Sequence, residues 1–200
     1  IVENTVYIGS MDRHLYALDL SNGDLRWDFV ADGAFAGKPV LRDGTLYIGA
    51  FDNHLYAIDA NAGNELWRFP GENWFWGSPV VHGDTVYAVD VDGNVYAVDA
   101  TSGRQIWHHP LEDPVRAGPA LTEDGAQLLV SSQEGTLYAL ETANEGAEKW
   151  SEESEGQRLV TPVVSGTTVY ETLYNGPRRI QALHVDNGYE IWLYPSEVEE

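Results

Sequence analysis

Three groupings in this 200-residue chain have residue types and spacing that could do chemistry. Asp90-Val91-Asp92-Gly93-Asn94 opens like a calcium loop, in which oxygen ligands alternate along the backbone. The bidentate acid such a loop needs downstream is not in register, and Asp-Gly between alternating apolar residues is a hairpin turn, the preferred reading. His14 and His54 stand at equivalent positions, where later copies have Asn94 and Thr136. A place that accepts Asn and Thr is turn framework before it is a metal site. His108-His109 follow a tryptophan on an outer strand and read as surface residues. The third grouping is Trp74-Phe75-Trp76, three consecutive aromatics in ENWFWGSPV. Aromatic anchors of this kind dominate contact energy when a partner covers them. No GxSxG, Walker or Gly-rich phosphate motif is present. With no cysteine there is no disulfide, thiolate metal site or cysteine nucleophile. The reading assigns no catalytic, cofactor-binding or metal-binding residue.

Charge narrows the partners. Eleven Lys plus Arg against 32 Asp plus Glu leave a net charge of −21, and only Lys38 and Lys149 are lysines. Such a field repels duplex nucleic acid and anionic bilayers. The acids are dispersed along the chain, and this acidic, lysine-poor composition resembles that of proteins from salt-loving microbes, where molar salt screens the self-repulsion. No apolar run approaches the roughly 18 residues of a membrane helix, so membrane insertion is not expected. The chain opens on Ile1, not Met, so a segment upstream, a lipid anchor included, is compatible with it.

These residues are positioned by a repeat. Trp27, Trp67, Trp107, Trp150 and Trp192 recur at spacings of 40, 40, 43 and 42, each with a glycine four residues before it. Ala17, Ala57, Ala97, Ala139 and Ala182 form another column, and Pro39, Pro79, Pro119 and Pro162 each follow a motif tryptophan by twelve. Each copy reads as four short strands, A to D, alternating apolar and polar residues and separated by Asp-Gly, Asp-Asn and Asn-x-Gly turns. A four-stranded unit of this size cannot bury both faces alone, whereas radial stacking buries them. The predicted fold is all-β: a β-propeller of four-stranded antiparallel blades, with repeats at approximately 1–31, 32–71, 72–111, 112–153 and 154–200. NEGAEKW at 144–150 looks briefly helical but falls where other copies place the C–D turn.

ALDLSNGDLRW, AIDANAGNELW and AVDATSGRQIW resemble the A-x-D-x-x-T-G-x-x-x-W docking motif of PQQ-type (quinoprotein) propellers, a likeness that extends over essentially the whole chain. The resemblance implies that each tryptophan wedges against a neighbouring blade's docking segment. Glu141 and His184 replace the motif acid in the last two copies, and YNGPRR lengthens the fifth B–C loop. Members of this family usually have seven or eight blades, so five repeats are either a closed or nearly closed ring or part of a larger propeller. The resemblance does not extend to quinone chemistry. The chain lacks the vicinal cysteines, and no Asp or Glu stands in the four positions before any strand-A proline.

Once the framework is subtracted, the D–A loops remain. They share a propeller face with the B–C turns, and their third position before proline reads Ala36, Trp76, Arg116 and Leu159, a ring at the channel mouth. Alternation should send Phe75 opposite to Trp74 and Trp76. Phe35, Trp74, Phe75, Trp76, Arg116 and Arg158 are the candidate partner-binding residues; the plain alternative is that the aromatics plug a wide channel. The preferred function is a non-catalytic binding or scaffold propeller similar to the BamB outer-membrane assembly family, acting outside the cytoplasm on a protein partner. A piece of a quinoprotein oxidoreductase whose active residues lie in further blades is one alternative. A carbohydrate-binding propeller is the other.

Overall fold

The computed structural model describes residues 3–177 and 179–195. Their 19 strands form five antiparallel sheets, each a simple meander. The first has three strands, β1 (Thr5–Gly9), β2 (His14–Asp19) and β3 (Leu25–Val30). The second comprises β4 (Val40–Arg42), β5 (Thr45–Gly49), β6 (His54–Asp59) and β7 (Glu65–Pro70). The third comprises β8 (Val80–His82), β9 (Thr85–Val89), β10 (Asn94–Asp99) and β11 (Gln105–Pro110). The fourth runs from β12 (Ala120–Leu121) through β13 (Gln127–Ser131) and β14 (Thr136–Glu141) to β15 (Ala147–Glu153). The fifth holds β16 (Val163–Ser165), β17 (Thr168–Thr172), β18 (Ile180–His184) and β19 (Glu190–Tyr194). The NEGAEKW stretch is the predicted turn running into β15. Among the described residues no helix is long and apolar enough to cross a membrane.

The repeat motif has a mechanical explanation. Its alanine lies directly across the ladder from its tryptophan, as in Ala17–Trp27, Ala57–Trp67 and Ala97–Trp107, and the register slips immediately after the alanine. The motif aspartate closes the C–D turn: Asp59 accepts from the amides of Asn61 and Ala62, and Asp99 from that of Ser102. Each indole then reaches forward into the next sheet. The Nε1 groups of Trp27, Trp67, Trp107 and Trp150 donate to the carbonyls of Ala60, Ala100, Thr142 and Val185 at 3.0, 3.0, 3.2 and 2.9 Å. The ring lies on that sheet's motif glycine. A Cβ at Gly63, Gly103, Gly146 or Gly188 would come within 2.6–2.7 Å of it. Every joint is thus a tryptophan peg in a glycine socket, flanked by cores such as Leu15, Phe35, Ile48 and Tyr56.

At the two ends the joint is half made. Trp192 is 43% exposed, against 7% for Trp107, and Gly23 has no atom within 4 Å of a Cβ position. The expectation that every motif tryptophan is buried between blades therefore fails at Trp192, because no described sheet offers it a socket.

Candidate functional site at the inner rim of the interblade loops

The four D–A loops converge because each is stitched to the B–C turns on both sides of a joint. The amides of Phe35, Phe75, Val115 and Arg158 donate to the carbonyls of Ser10, Ala50, Val91 and Ser132, in the preceding sheet. In return, the Phe51, Val91 and Gln133 amides of the following sheet donate to Ala34, Trp74 and Pro114. At the inner end Lys38 N donates to Ser78 Oγ at 2.7 Å, and Gly118 N to Thr161 Oγ1 at 3.0 Å. Gly37, Gly77 and Gly118 pack backbone against backbone there, a contact that any side chain would block. The result is a hollow of about 240 Å³ whose lining includes Ala36, Trp76, Arg116 and Leu159, the four residues at the third position before the strand-A proline.

The loops hang from carboxylate–phenol clamps that are buried at Asp90 and partly buried at Asp52 and Asp113. Asp52 Oδ2 accepts from the amides of Asp32 and Gly33 and from the Tyr56 hydroxyl. Asp90 accepts from Asn73 N and Tyr96, and Asp113 from Tyr138 and Ser132. Burial, reinforced by the neighbouring carboxylate, raises all three phenol pKa values, Tyr138 to about 12. The clamp also decides the calcium-like motif. Asp90 is fully buried, and its oxygens take the Asp92 and Asn94 amides besides the donors just named, so it is a turn residue. His14 engages Asp28 on the paired strand β3, and His54 the Asp52 carbonyl of its own turn. Among the described residues no His, Asp and Glu set is assembled to hold a metal.

The six candidate residues divide into two sets. Trp74 and Trp76 are 47% and 38% exposed. Phe51 lies 5.1 Å from each indole, and the Arg116 guanidinium sits 5.3 Å over Trp76. This makes one continuous aromatic and cationic cluster across two loops. Phe75 points the opposite way and is buried, as the alternation requires. Phe35, Phe75 and Arg158 cannot present a contact surface: all three are essentially inaccessible, and they occupy one column, the fourth residue before the strand-A proline. Phe51 is the residue the sequence reading left unplaced; its signal was its status as a surplus aromatic in a B–C turn.

An anionic quinone does not fit this hollow. Its lining offers only Arg116 and Lys38 as cations, Arg158 beneath it is already paired with Glu152 and Glu171, and its volume is below that of usual small-molecule sites.

Four-stranded meanders joined by tryptophan pegs define a repeat protein of the PQQ-type propeller-blade class. Residues 2–194 match the family model described as outer membrane protein assembly factor BamB, and the chain belongs to that family. No curated protein matches the sequence. Among solved structures, BamB from Moraxella catarrhalis is similar at 21% identity with a TM-score of 0.80, over 96% of this chain and 62% of that one. The computationally designed Ika8 protein is similar at 16% identity and TM-score 0.85, over 100% and 61%. A quinohemoprotein alcohol dehydrogenase from Comamonas testosteroni follows at 18% and 0.71, over 81% and 35%. The chain thus spans about three-fifths of the BamB structure it matches.

Proposed function

We propose that this chain is a non-catalytic, extracytoplasmic binding scaffold that takes a protein partner on the D–A loop rim, through Trp74, Trp76 and Arg116. The carrying observation is the exposed cluster itself. In a chain with 32 acids, the Arg116 guanidinium is stacked on an indole and makes no ion pair among the described residues, whereas Arg26 and Arg68 each pair with a carboxylate. It is held ready for an incoming acceptor beside uncovered aromatic surface. Membership of a family described as an assembly factor supports a protein partner and a place outside the cytoplasm. The net charge of −21 argues against nucleic acid.

The same reading treats the five repeats, at approximately 1–31, 32–71, 72–111, 112–153 and 154–200, as an arc of a larger propeller. The uncovered peg at Trp192, the open socket at Gly23 and the 62% and 61% coverage of similar chains support this.

The test is capture of envelope proteins on immobilised wild type and on Trp74→Ala, Trp76→Ala and Arg116→Gln. Loss of one specific protein from all three variants, at unchanged melting temperature, supports the site. A glycan array read with the same proteins must stay blank. Unchanged capture together with melting several degrees lower would reduce the tryptophans to a channel plug.

A further inference from the structure

The fourth joint is built from different chemistry than the first two. At the second joint, Phe69 and Phe75 pack on Tyr96 of the next sheet at 5.2 and 5.8 Å. The first joint repeats this with Phe29, Phe35 and Tyr56, and adds Ile48 close against Gly9. In the register of the repeat, the same five positions at the fourth joint are Glu152, Arg158, Gln181, Glu171 and Ser131. An apolar plug has been replaced, position by position, with an ionic one.

Arg158 is fully buried in that plug. It donates through Nη1 to the Glu152 carbonyl at 3.0 Å and through Nη2 to the Glu152 carboxylate, Ser154 and Gln181. Gln181 and Ser154 also donate to Glu152, which is therefore well satisfied as an anion. Glu171 is not. One oxygen takes the Ser131 hydroxyl at 2.6 Å; the other stands 3.2 Å from Arg158 Nε, and neither of those two atoms makes a hydrogen bond. One guanidinium thus faces two carboxylates, Glu152 partly open to solvent and Glu171 sealed in, and the sealed one is poorly served.

We infer that this cluster is a protonation-controlled latch on the fourth D–A loop: neutral Glu171 holds residues 154–162 shut, and charged Glu171 releases them. The charged groups facing Glu171 are Arg158, from the loop, and Glu152, from β15; β13 and β18 contribute the neutral Ser131 and Gln181. Burial pushes its carboxyl up to about 7, helped by Glu152 and opposed by Arg158 and the Ser131 hydroxyl. Leu159 and Val160 follow Arg158 directly and line the rim hollow, so release of the loop changes the rim. The inference does not depend on what binds there.

The experiment is hydrogen exchange at pH 6 and pH 8, corrected for intrinsic rates, on wild type and Glu171→Gln, with carboxyl-carbon NMR to follow Glu171 directly. In wild type, protection of residues 154–162 should fall about tenfold between those pH values, the ratio set by a carboxyl near 7 when latched and in its ordinary range when free. Loop 71–79, plugged by Phe75, should not change. Glu171→Gln should keep the pH 6 protection at pH 8. If that variant does not fold, the wild-type titration still decides. The inference is overturned if Glu171 titrates in the ordinary carboxylate range, or if loops 154–162 and 71–79 respond alike.

Discussion

The second and fourth joints share one peg and differ in their plug. Trp67 on Gly103 and Trp150 on Gly188 are the same joint, with indole hydrogen bonds of 3.0 and 2.9 Å. Around the first pack Phe69, Phe75 and Tyr96; around the second, Glu152, Arg158 and Gln181. The contrast separates two jobs that a single repeat motif would seem to combine. The peg sets spacing and direction and uses the same tryptophan and glycine at all four joints. The plug needs only to fill the space beneath the loop, so its chemistry is free to vary from one joint to the next.

The contrast is broken most severely by stranding charge. Arg158→Met leaves the buried Glu171 and the partly buried Glu152 without their cation and should cost about 3–5 kcal/mol by urea denaturation at pH 8, and less at pH 5, where Glu171 is neutral. Phe75→Ala removes an apolar plug and should cost about 3 kcal/mol at either pH, since only a cavity is left. Converting the whole fourth plug to its second-joint counterpart (Ser131→Gly, Glu152→Phe, Arg158→Phe, Glu171→Ala, Gln181→Tyr) should be neutral or stabilising by about 1–4 kcal/mol; Ser131 must become glycine because the phenylalanine packs where its Cβ would stand, as Phe75 does on Gly49.

The pegs sharpen the comparison from the other side. Trp107→Ala, in a complete joint, should destabilise by about 3–5 kcal/mol, whereas Trp192→Ala, in a half joint, should stay within about 1 kcal/mol. Glu171 adds a pH signature. Its carboxyl is raised from 4.5 to about 7 on folding, so folding takes up a proton between those values. Stability should fall as pH rises through that window, at about 1.4 kcal/mol per unit at most, and level off above it. Subtracting the profile of Glu171→Gln isolates this slope. The smallest expected effect is general: with a net charge of −21, the melting midpoint should climb from low to molar KCl. A flat midpoint would leave the joints as described and remove the self-repulsion argument.

The pegs were legible in the sequence because they use one residue type at one spacing. That each tryptophan docks on a neighbouring copy came from the family resemblance, and that Gly63 is the socket of Trp27 came from the structure. That Trp74 and Trp76 share one side and Phe75 takes the other followed from simple alternation; which side faces solvent did not. Phe35 and Arg158 were misjudged as surface residues for opposite reasons. An aromatic in a loop suggested a contact, and an arginine suggested solvent, yet both sit in a column that every joint buries, with Phe75 and Val115. Register outranked residue type there. The carboxylate–phenol clamps stayed hidden because their acids, Asp52, Asp90 and Asp113, come from different places in the repeat and share only a destination. Phe51 gave no periodic signal at all; its partners come from the loop of the following joint.

Each peg reaches toward the sheet that follows it in sequence, and this direction has a kinetic consequence. A chain that emerges N-terminus first completes a blade's own ladder before the socket for its tryptophan exists. Folding should therefore advance as a front that trails synthesis by one blade, with a single unburied indole always at its leading edge. Trp192, which no following sheet covers among the described residues, presents such an indole: 43% exposed on a paired hairpin, with Ile180 on the same face.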